Sequence, residues 1–91
     1  MNYENVKKSE MLQAQKRQLR TEAELRKKMA SDKIDKGDFI GAKNDLQVAR
    51  NLIQQVLLKV RELGERGISE RSIKDDIEDL WRKVTSKINE D

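Results

Sequence analysis

Residues 39–63 read FIGAKNDLQVARNLIQQVLLKVREL, and this stretch decides the fold. Apolar side chains recur in it at alternating steps of three and four residues, the spacing that places them on one face of an α-helix. The positions are Phe39, Ala42, Leu46, Ala49, Ile53, Val56, Val60 and Leu63. Leu52, Leu57 and Leu58 widen the stripe beyond what one neighbouring helix would cover. We therefore expect a central helix that is contacted on more than one side.

Glycines mark both ends of this central helix. Gly37 precedes it and supplies a residue for the left-handed end of a first helix, while Asp38 is placed to cap the second. Gly64 and Gly67 follow it. No proline interrupts the chain, so only the glycines divide it. The predicted helices cover about residues 4–35, 38–63 and 70–89.

The third helix is predicted to begin near Glu70, with Ser69 as its N-cap. Ile68 and Ile73 then occupy the positions of a hydrophobic staple. The helix carries a single apolar stripe formed by Ile73, Ile77, Leu80, Trp81, Val84 and Ile88. Its acidic residues Asp75, Asp76, Glu78 and Asp79 show no calcium-loop pattern, and we interpret them as a solvated face.

Composition narrows the range of functions. The chain has 91 residues, enough for one domain, and 41% of them are charged. The absence of cysteine and histidine excludes a disulfide framework, thiol chemistry, imidazole catalysis and a cysteine or histidine zinc site. We therefore expect no enzyme and no cofactor. Neither residues 1–10 nor any later run is apolar enough for a signal peptide or a membrane span, which favours a soluble cytoplasmic protein without a membrane partner.

The first helix carries two narrow apolar stripes. One contains Leu12, Leu19, Ala23, Ala30 and Ile34 but is interrupted by Lys16 and Arg26. The second contains Met11, Leu25 and Met29, about 100° or more away around the helix. Two stripes predict two neighbours, so Met11, Leu25 and Met29 are candidates for binding another subunit or a protein partner. The alternative is a single contact face on a helix that rolls slightly along its length.

The first helix is also the basic part of the chain, because residues 1–37 contain ten Lys and Arg against six Asp and Glu. This excess favours contact with an anionic ligand or with nucleic-acid phosphates. The candidate anion-binding residues are Lys16, Arg17, Arg20, Arg26 and Lys27. With only three aromatic residues, Tyr3, Phe39 and Trp81, a base-stacking platform is not expected. A solvated coiled-coil face remains the alternative.

The turn Gly37-Asp38-Phe39-Ile40-Gly41-Ala42 resembles the Gly-Asp-aromatic-x-x-Ala turn of tetratricopeptide repeats and of the microtubule-interacting-and-trafficking domain. The latter is a three-helix bundle of similar size, so the resemblance would span roughly residues 10–90. It implies a groove between helices that accepts a partner helix. The middle helix lacks the tyrosine expected in that domain.

A second resemblance concerns the helical hairpin of phage proteins that sequester cyclic-nucleotide signals of bacterial immunity. Ala42, Leu46, Gln47, Ala49 and Arg50 are similar to that family's Ala-x-Thr-x-Leu-Glu-x-Ala-Arg run, with Asn44 in place of its threonine and Leu52 in place of its usual tryptophan. The resemblance implies binding of an anionic nucleotide by an oligomer. No binding residue is carried over from either family.

These observations predict an all-α fold, a three-helix bundle built on a long antiparallel helical hairpin with coiled-coil-like packing. We expect a homo-oligomer that binds through protein–protein contacts. Two alternatives stay open, sequestration of an anionic cyclic nucleotide and non-specific nucleic-acid binding through the basic first helix. The sequence also leaves open whether the first helix is continuous or breaks near Ser9.

Overall fold

A computed structural model describes residues 3–89, with side chains from residue 6 onward. Three helices follow one another along the chain, α1 (Tyr3–Asp35), α2 (Phe39–Glu62) and α3 (Ile68–Ile88). α1 is continuous through Ser9 and pairs with α2 as a long hairpin, while α3 packs chiefly against α2. The described part of the chain is thus an all-α helical bundle, as predicted, with extents of 59 × 17 × 15 Å.

The apolar stripe of α2 forms the centre of the core. Six of its predicted positions are buried, namely Ala42, Leu46, Ala49, Ile53, Val56 and Val60. From α1 the buried apolar residues are two alanines, Ala23 and Ala30. α3 contributes Ile73, Ile77 and Val84, with Leu80, Trp81 and Ile88 partly buried beside them. α2 therefore is the central helix, and both neighbours bury their apolar faces against it.

Both helix–helix turns use a glycine in the left-handed conformation. Gly37 has φ 81°, and its N–H donates to the carbonyl of Ile34 at 3.0 Å, while the N–H of Asp38 donates to the carbonyl of Lys33 at 2.8 Å. This pair of hydrogen bonds is the Schellman motif, which satisfies the last carbonyls of α1. The same pattern ends α2, where Gly64 bonds to Arg61 and Glu65 to Val60.

The predicted cap of α2 is confirmed. The Asp38 side chain accepts a hydrogen bond from the N–H of Gly41 at 2.9 Å. A Cβ atom at Gly41 would collide with this same carboxylate, so the glycine keeps the space that the cap needs. The turn residues Gly37, Asp38 and Gly41 therefore act together to reverse the chain direction.

The predicted N-cap of α3 is wrong. The helix begins at Ile68, two residues before Glu70, and its N-cap is Gly67 with φ 66° rather than Ser69. Because glycine adopts the left-handed conformation readily, the chain enters the helix earlier than the cap pattern indicated. The hydroxyl of Ser69 donates to Glu70 instead, and Ile68 is 71% exposed, so no hydrophobic staple forms.

Candidate interaction surfaces

The basic residues of α1 mostly contact carboxylates of the same molecule. Lys16, Arg20, Arg26 and Lys27, four of the five candidate anion-binding residues, each form an ion pair with another part of the chain. The pairs are Lys16 with Glu65 at 2.8 Å, Arg20 with Glu70 at 3.2 Å, Arg26 with Asp45 at 3.1 Å and Lys27 with Asp76 at 3.4 Å. Their charges hold the helices together.

Asp45 is the most enclosed of these carboxylates, with its side chain only 5% exposed. Its Oδ1 accepts a hydrogen bond from Arg26, and the Lys33 Nζ lies 2.6 Å from Oδ2. Each oxygen of this carboxylate therefore has a cation of α1 beside it. Two cations of α1 thus fasten one carboxylate of α2 at the helix interface.

Lys16 is buried although it is charged, because it lies on the apolar face of α1. Its Nζ donates to Glu65 in the turn between α2 and α3, and Gln13 donates to the other oxygen of that carboxylate at 3.2 Å. The hydrogen bonds from Lys16 and then from Gln13 lower the pKa of Glu65 below its ordinary value. The residue that interrupts the α1 stripe in the sequence therefore has a specific acceptor.

The ion pairs also fix how α3 lies against α1. Ser69 and Glu70 both accept from Arg20, and Asp76 accepts from Lys27, so the partners are separated by 49 or 50 residues each time. A constant separation means that the two helices run parallel and in register. The sequence contained a hint of these contacts, because Asp45 and Glu70 stand on core-facing sides of their helices. Their partners depend on this register, which helical periodicity alone does not define.

Arg17 is the candidate anion-binding residue that stays outside this network. It is exposed, and among the described side chains its own has no hydrogen bond or ion pair. Its carbonyl accepts the hydroxyl of Thr21 at 2.9 Å. Five residues further along α1, Glu22 is likewise exposed and has no ion-pair partner within the described residues. The structure therefore does not bring the five basic residues together into one open site.

The second apolar stripe of α1 lies outside the core. Met11 is 60% exposed and Leu25 is 57% exposed, while Met29 is half-buried. Leu12, Leu19, Ala23, Ala30 and Ile34, the residues of the first stripe, are buried or half-buried. Because Met11 and Leu25 lie far apart on the helix and are both exposed, a slight roll of α1 does not bring this stripe into the bundle.

Three further exposed residues connect Met11 to Leu25. Ala14, Gln18 and Thr21 lie between them at steps of three and four residues, and none is charged. We call Met11, Ala14, Gln18, Thr21 and Leu25 the outer strip. At about 1.5 Å per residue it is roughly 21 Å long, and including Met29 it reaches roughly 27 Å. In a chain with 41% charged residues, this strip is an uncharged line along an exposed helix face.

A groove of about 770 Å³ lies between the C-terminal half of α2 and the start of α3. Leu57 is half-buried there and Leu58 is 57% exposed, so part of the widened α2 stripe is left uncovered. Arg61, Arg71 and Lys74 also line the groove, together with the carboxylates Glu65 and Asp75, and none of the three cations has an ion-pair partner among the described side chains. Sequence analysis noted the surplus leucines but not the cations, since these belong to two different helices.

The indole ring of Trp81 contacts two cations of α2. The guanidinium carbon of Arg50 lies 4.4 Å from the centre of its ring, and the Lys43 Nζ lies 5.6 Å from it. Arg50 also donates to Glu78 at 2.9 Å. Cation–π contacts of this kind attach α3 to α2 and leave the indole less available for stacking on a base.

Within residues 3–89, no group of three or more Asp or Glu side chains lies where it could hold a metal ion. No helix in the same part of the chain combines the length and apolar character needed to cross a membrane. Comparison with known proteins finds no family model, no curated protein and no solved structure that matches this chain.

Proposed function

We propose that this chain is a non-enzymatic cytoplasmic binding and assembly protein that acts through protein–protein contact along the outer strip of α1. The observation that carries the proposal is the exposure of Met11 and Leu25 on one uncharged line of an otherwise highly charged helix. Apolar side chains arranged in helical register on a free face are typical of a surface that receives another helix. Methionine suits such contacts because its flexible side chain adapts to a neighbour.

Charge favours this proposal over an anion-binding role. Lys16, Arg20, Arg26 and Lys27 already contact carboxylates, so an anionic ligand would have to displace part of that network. Displacement would leave carboxylates such as the buried Asp45 without their cations, which costs free energy. Nucleotide sequestration and non-specific nucleic-acid binding therefore stay as alternatives.

Site-directed photo-crosslinking tests the proposed interface. A benzophenone amino acid replaces Leu25 in the full chain, expressed in its own cells, and the control carries the same group at Ser86, which is exposed on α3. We expect a discrete covalent adduct from position 25 and none from position 86. Absence of an adduct from positions 11 and 25 alike would contradict the proposal, because both positions lie on the outer strip.

The groove between α2 and α3 supports a second candidate function, the binding of a partner helix. The observation is the combination of exposed Leu58 with the cations Arg61, Arg71 and Lys74, which have no ion-pair partner within the part of the chain that the structure describes. The resemblance to the microtubule-interacting-and-trafficking domain also implies a groove that accepts a helix. An amphipathic helix with leucines on one face and acidic residues beside them has the chemistry that this groove would accept.

A pair of synthetic peptides tests the groove. One is an amphipathic helix of about 20 residues with leucine on one face and glutamate on the other, and its match carries lysine in place of glutamate. We expect the acidic peptide to bind and to shift the backbone resonances of Leu57 and Leu58. Arg71→Glu should weaken binding of the acidic peptide and strengthen binding of the basic peptide. Equal binding of both peptides to the unaltered chain would exclude this recognition mode.

A further inference from the structure

We infer that the outer strip receives a second copy of this chain, with the two α1 helices packed side by side as a parallel, in-register coiled coil. The inference rests on the proposed function and names its partner. Two-stranded coiled coils place mainly apolar residues at the first and fourth positions of a seven-residue repeat and tolerate a polar residue at a single first position. In α1, Met11, Gln18 and Leu25 occupy the first position, and Ala14 and Thr21 the fourth.

The location of the outer strip leaves room for a second helix. At about 100° per residue, its centre lies roughly 150° around α1 from Ala23 and Ala30, the alanines that pack against the rest of the bundle. α2 and α3 therefore occupy the other side of α1. All five residues of the strip are exposed, so two copies can approach along this face without rearranging the core.

Charges beside the strip favour self-association. Arg17 immediately precedes Gln18, a first position of the repeat, and Glu22 immediately follows Thr21, a fourth position. Residues at these two flanking sites pair between parallel helices. In the parallel dimer, Arg17 of each copy faces Glu22 of the partner subunit, and twofold symmetry makes two such pairs. Both side chains are exposed and have no ion-pair partner among the described residues, so they are available for this contact.

The same residues favour the parallel over the antiparallel arrangement. In the parallel register, Gln18 meets Gln18 of the partner subunit, and a paired polar residue at a first position fixes alignment in coiled coils. In the antiparallel alignment that places Leu25 beside Ala14 of the other copy, Met11 would face the charged Lys28. Arg17 would there approach Glu24, which already accepts from Arg20 at 3.2 Å.

The strip is short, and its length determines the strength of association. The seam from Met11 to Leu25 is roughly 21 Å long, about two seven-residue repeats, and ends before the charged Lys28 at the next fourth position, which gives an interface at the small end of specific contacts. We therefore expect a reversible dimer whose population rises with concentration between about 10 µM and about 1 mM.

Single cysteine variants test the geometry, because the chain contains no cysteine of its own. Met11→Cys and Leu25→Cys, each oxidised separately in the full chain, should both give disulfide-linked dimers. Ser72→Cys, on the exposed side of α3, is the matched control and should remain monomeric. If neither variant links to itself but a mixture of Leu25→Cys and Ala14→Cys does, the helices are antiparallel and the inferred arrangement is wrong. A monomer in every case also overturns it.

A charge exchange tests the pairing by sedimentation equilibrium. Arg17→Glu should raise the dimer dissociation constant about tenfold, because two attractive pairs become two repulsive ones. Arg17→Glu combined with Glu22→Arg should restore the dissociation constant of the unaltered chain. Glu22→Arg alone should weaken the dimer as Arg17→Glu does. Failure of the double variant to restore the dimer would contradict the parallel register. Both residues are exposed, so circular dichroism should show unchanged helix content.

The photo-crosslinking experiment separates this inference from the function on which it rests. An adduct from position 25 with twice the mass of the chain supports both. An adduct with a different protein supports an interaction role for the outer strip and rejects a second copy as its partner. Absence of any adduct rejects both proposals together.

Discussion

Asp45 introduces a carboxylate between the buried residues Ala42 and Ala49 of α2, where the helix faces α1. Burial of an unpaired carboxylate would be strongly unfavourable, and the contacts with Arg26 and Lys33 offset that cost at the interface. Both cations are themselves 35–42% exposed and retain part of their hydration. Breaking these ion pairs would therefore cost more free energy at the buried carboxylate than at the two partly hydrated cations.

We expect Asp45→Asn to lower the free energy of unfolding by about 1 to 2 kcal/mol, because it removes the charge that attracts both cations but keeps the shape of the side chain. Urea denaturation measures the change. Asp76→Asn is the matched control, since its carboxylate is 58% exposed and lies 3.4 Å from Lys27, and we expect less than about 0.5 kcal/mol there. Equal effects of the two substitutions would show that burial of Asp45 does not increase the contribution of its ion pairs to the free energy of unfolding.

Glu65 gives the molecule a contribution to stability that depends on pH. Its pKa is lowered in the folded protein by hydrogen bonds from Lys16 and Gln13. The stabilisation is therefore fully present above the ordinary glutamate pKa of about 4.3 and is lost as the pH falls through the lowered value. We expect Glu65→Gln to melt below the unaltered protein at pH 7, with the difference narrowing below about pH 4. Circular dichroism measures both melting curves, and a difference independent of pH would contradict the assignment.

Among single residues, the sequence indicated which ones were unusual but not what they contact. Lys16 stood out because it interrupts an apolar stripe, and the structure provides its acceptor 49 residues away. Asp45 and Glu70 were not identified, although both lie on core-facing sides of their helices, because their ion-pair partners are on other helices. Long-range ion pairs require the register between helices, which local periodicity does not contain.

The turn between α2 and α3 contains two left-handed glycines that differ in their surroundings. Gly64 has φ 70° and open space where a Cβ atom would lie, so only its backbone conformation requires glycine. Gly67 has φ 66°, and a Cβ there would also lie 2.6 Å from Cγ1 of Val60. The second glycine therefore permits both the left-handed conformation and the close approach of the α3 start to α2.

We expect Gly64→Ala to cost about 1 kcal/mol of unfolding free energy, the ordinary penalty for a left-handed alanine. Gly67→Ala should cost at least about 2 kcal/mol, because the added methyl group also overlaps the buried Val60. Urea or thermal denaturation of the two variants compares them directly. A Gly67→Ala variant no less stable than Gly64→Ala would mean that the contact with Val60 relaxes without cost.

The helices themselves could be predicted well from spacing and glycines. The stripes of α2 and α3 are the ones that the structure buries, and Asp38 caps α2 as expected. The start of α3 could not be predicted, because Ser69 followed by an apolar stripe is a good N-cap pattern and glycine is a weaker one. The conformation of Gly67 depends on its packing against Val60, which no local pattern records.

Across the whole molecule, some charged side chains form ion pairs between helices and others stay outside these pairs. Ion pairs link α1 to α2, to the second turn and to α3, whereas Arg17, Arg61, Arg71 and Lys74 remain outside this network. The outer strip and the α2–α3 groove are apolar surfaces that the fold leaves uncovered in the described part of the chain. The sequence indicated the outer strip through Met11 and Leu25, and its binding of a partner stays a prediction.

We expect a cyclic dinucleotide at about 1 mM to change the melting temperature by less than about 1 °C, because the basic residues of α1 are engaged by carboxylates. Differential scanning fluorimetry over a concentration series measures the shift. A saturable rise that Arg20→Gln abolishes would instead support nucleotide sequestration through the basic face of α1. The same series with a short single-stranded oligonucleotide, at low and high salt, tests the nucleic-acid alternative.

The central position of α2 also has a consequence for the order in which the chain folds. α1 and α2 are joined by a three-residue turn at 36–38, so their contacts can form outward from that turn with little loop-closure entropy at each step. α3 touches α1 at few positions and finds its main docking surface only once α2 is helical. When the chain is stretched from its C-terminal end, α3 should detach as a unit while the hairpin beneath it stays closed.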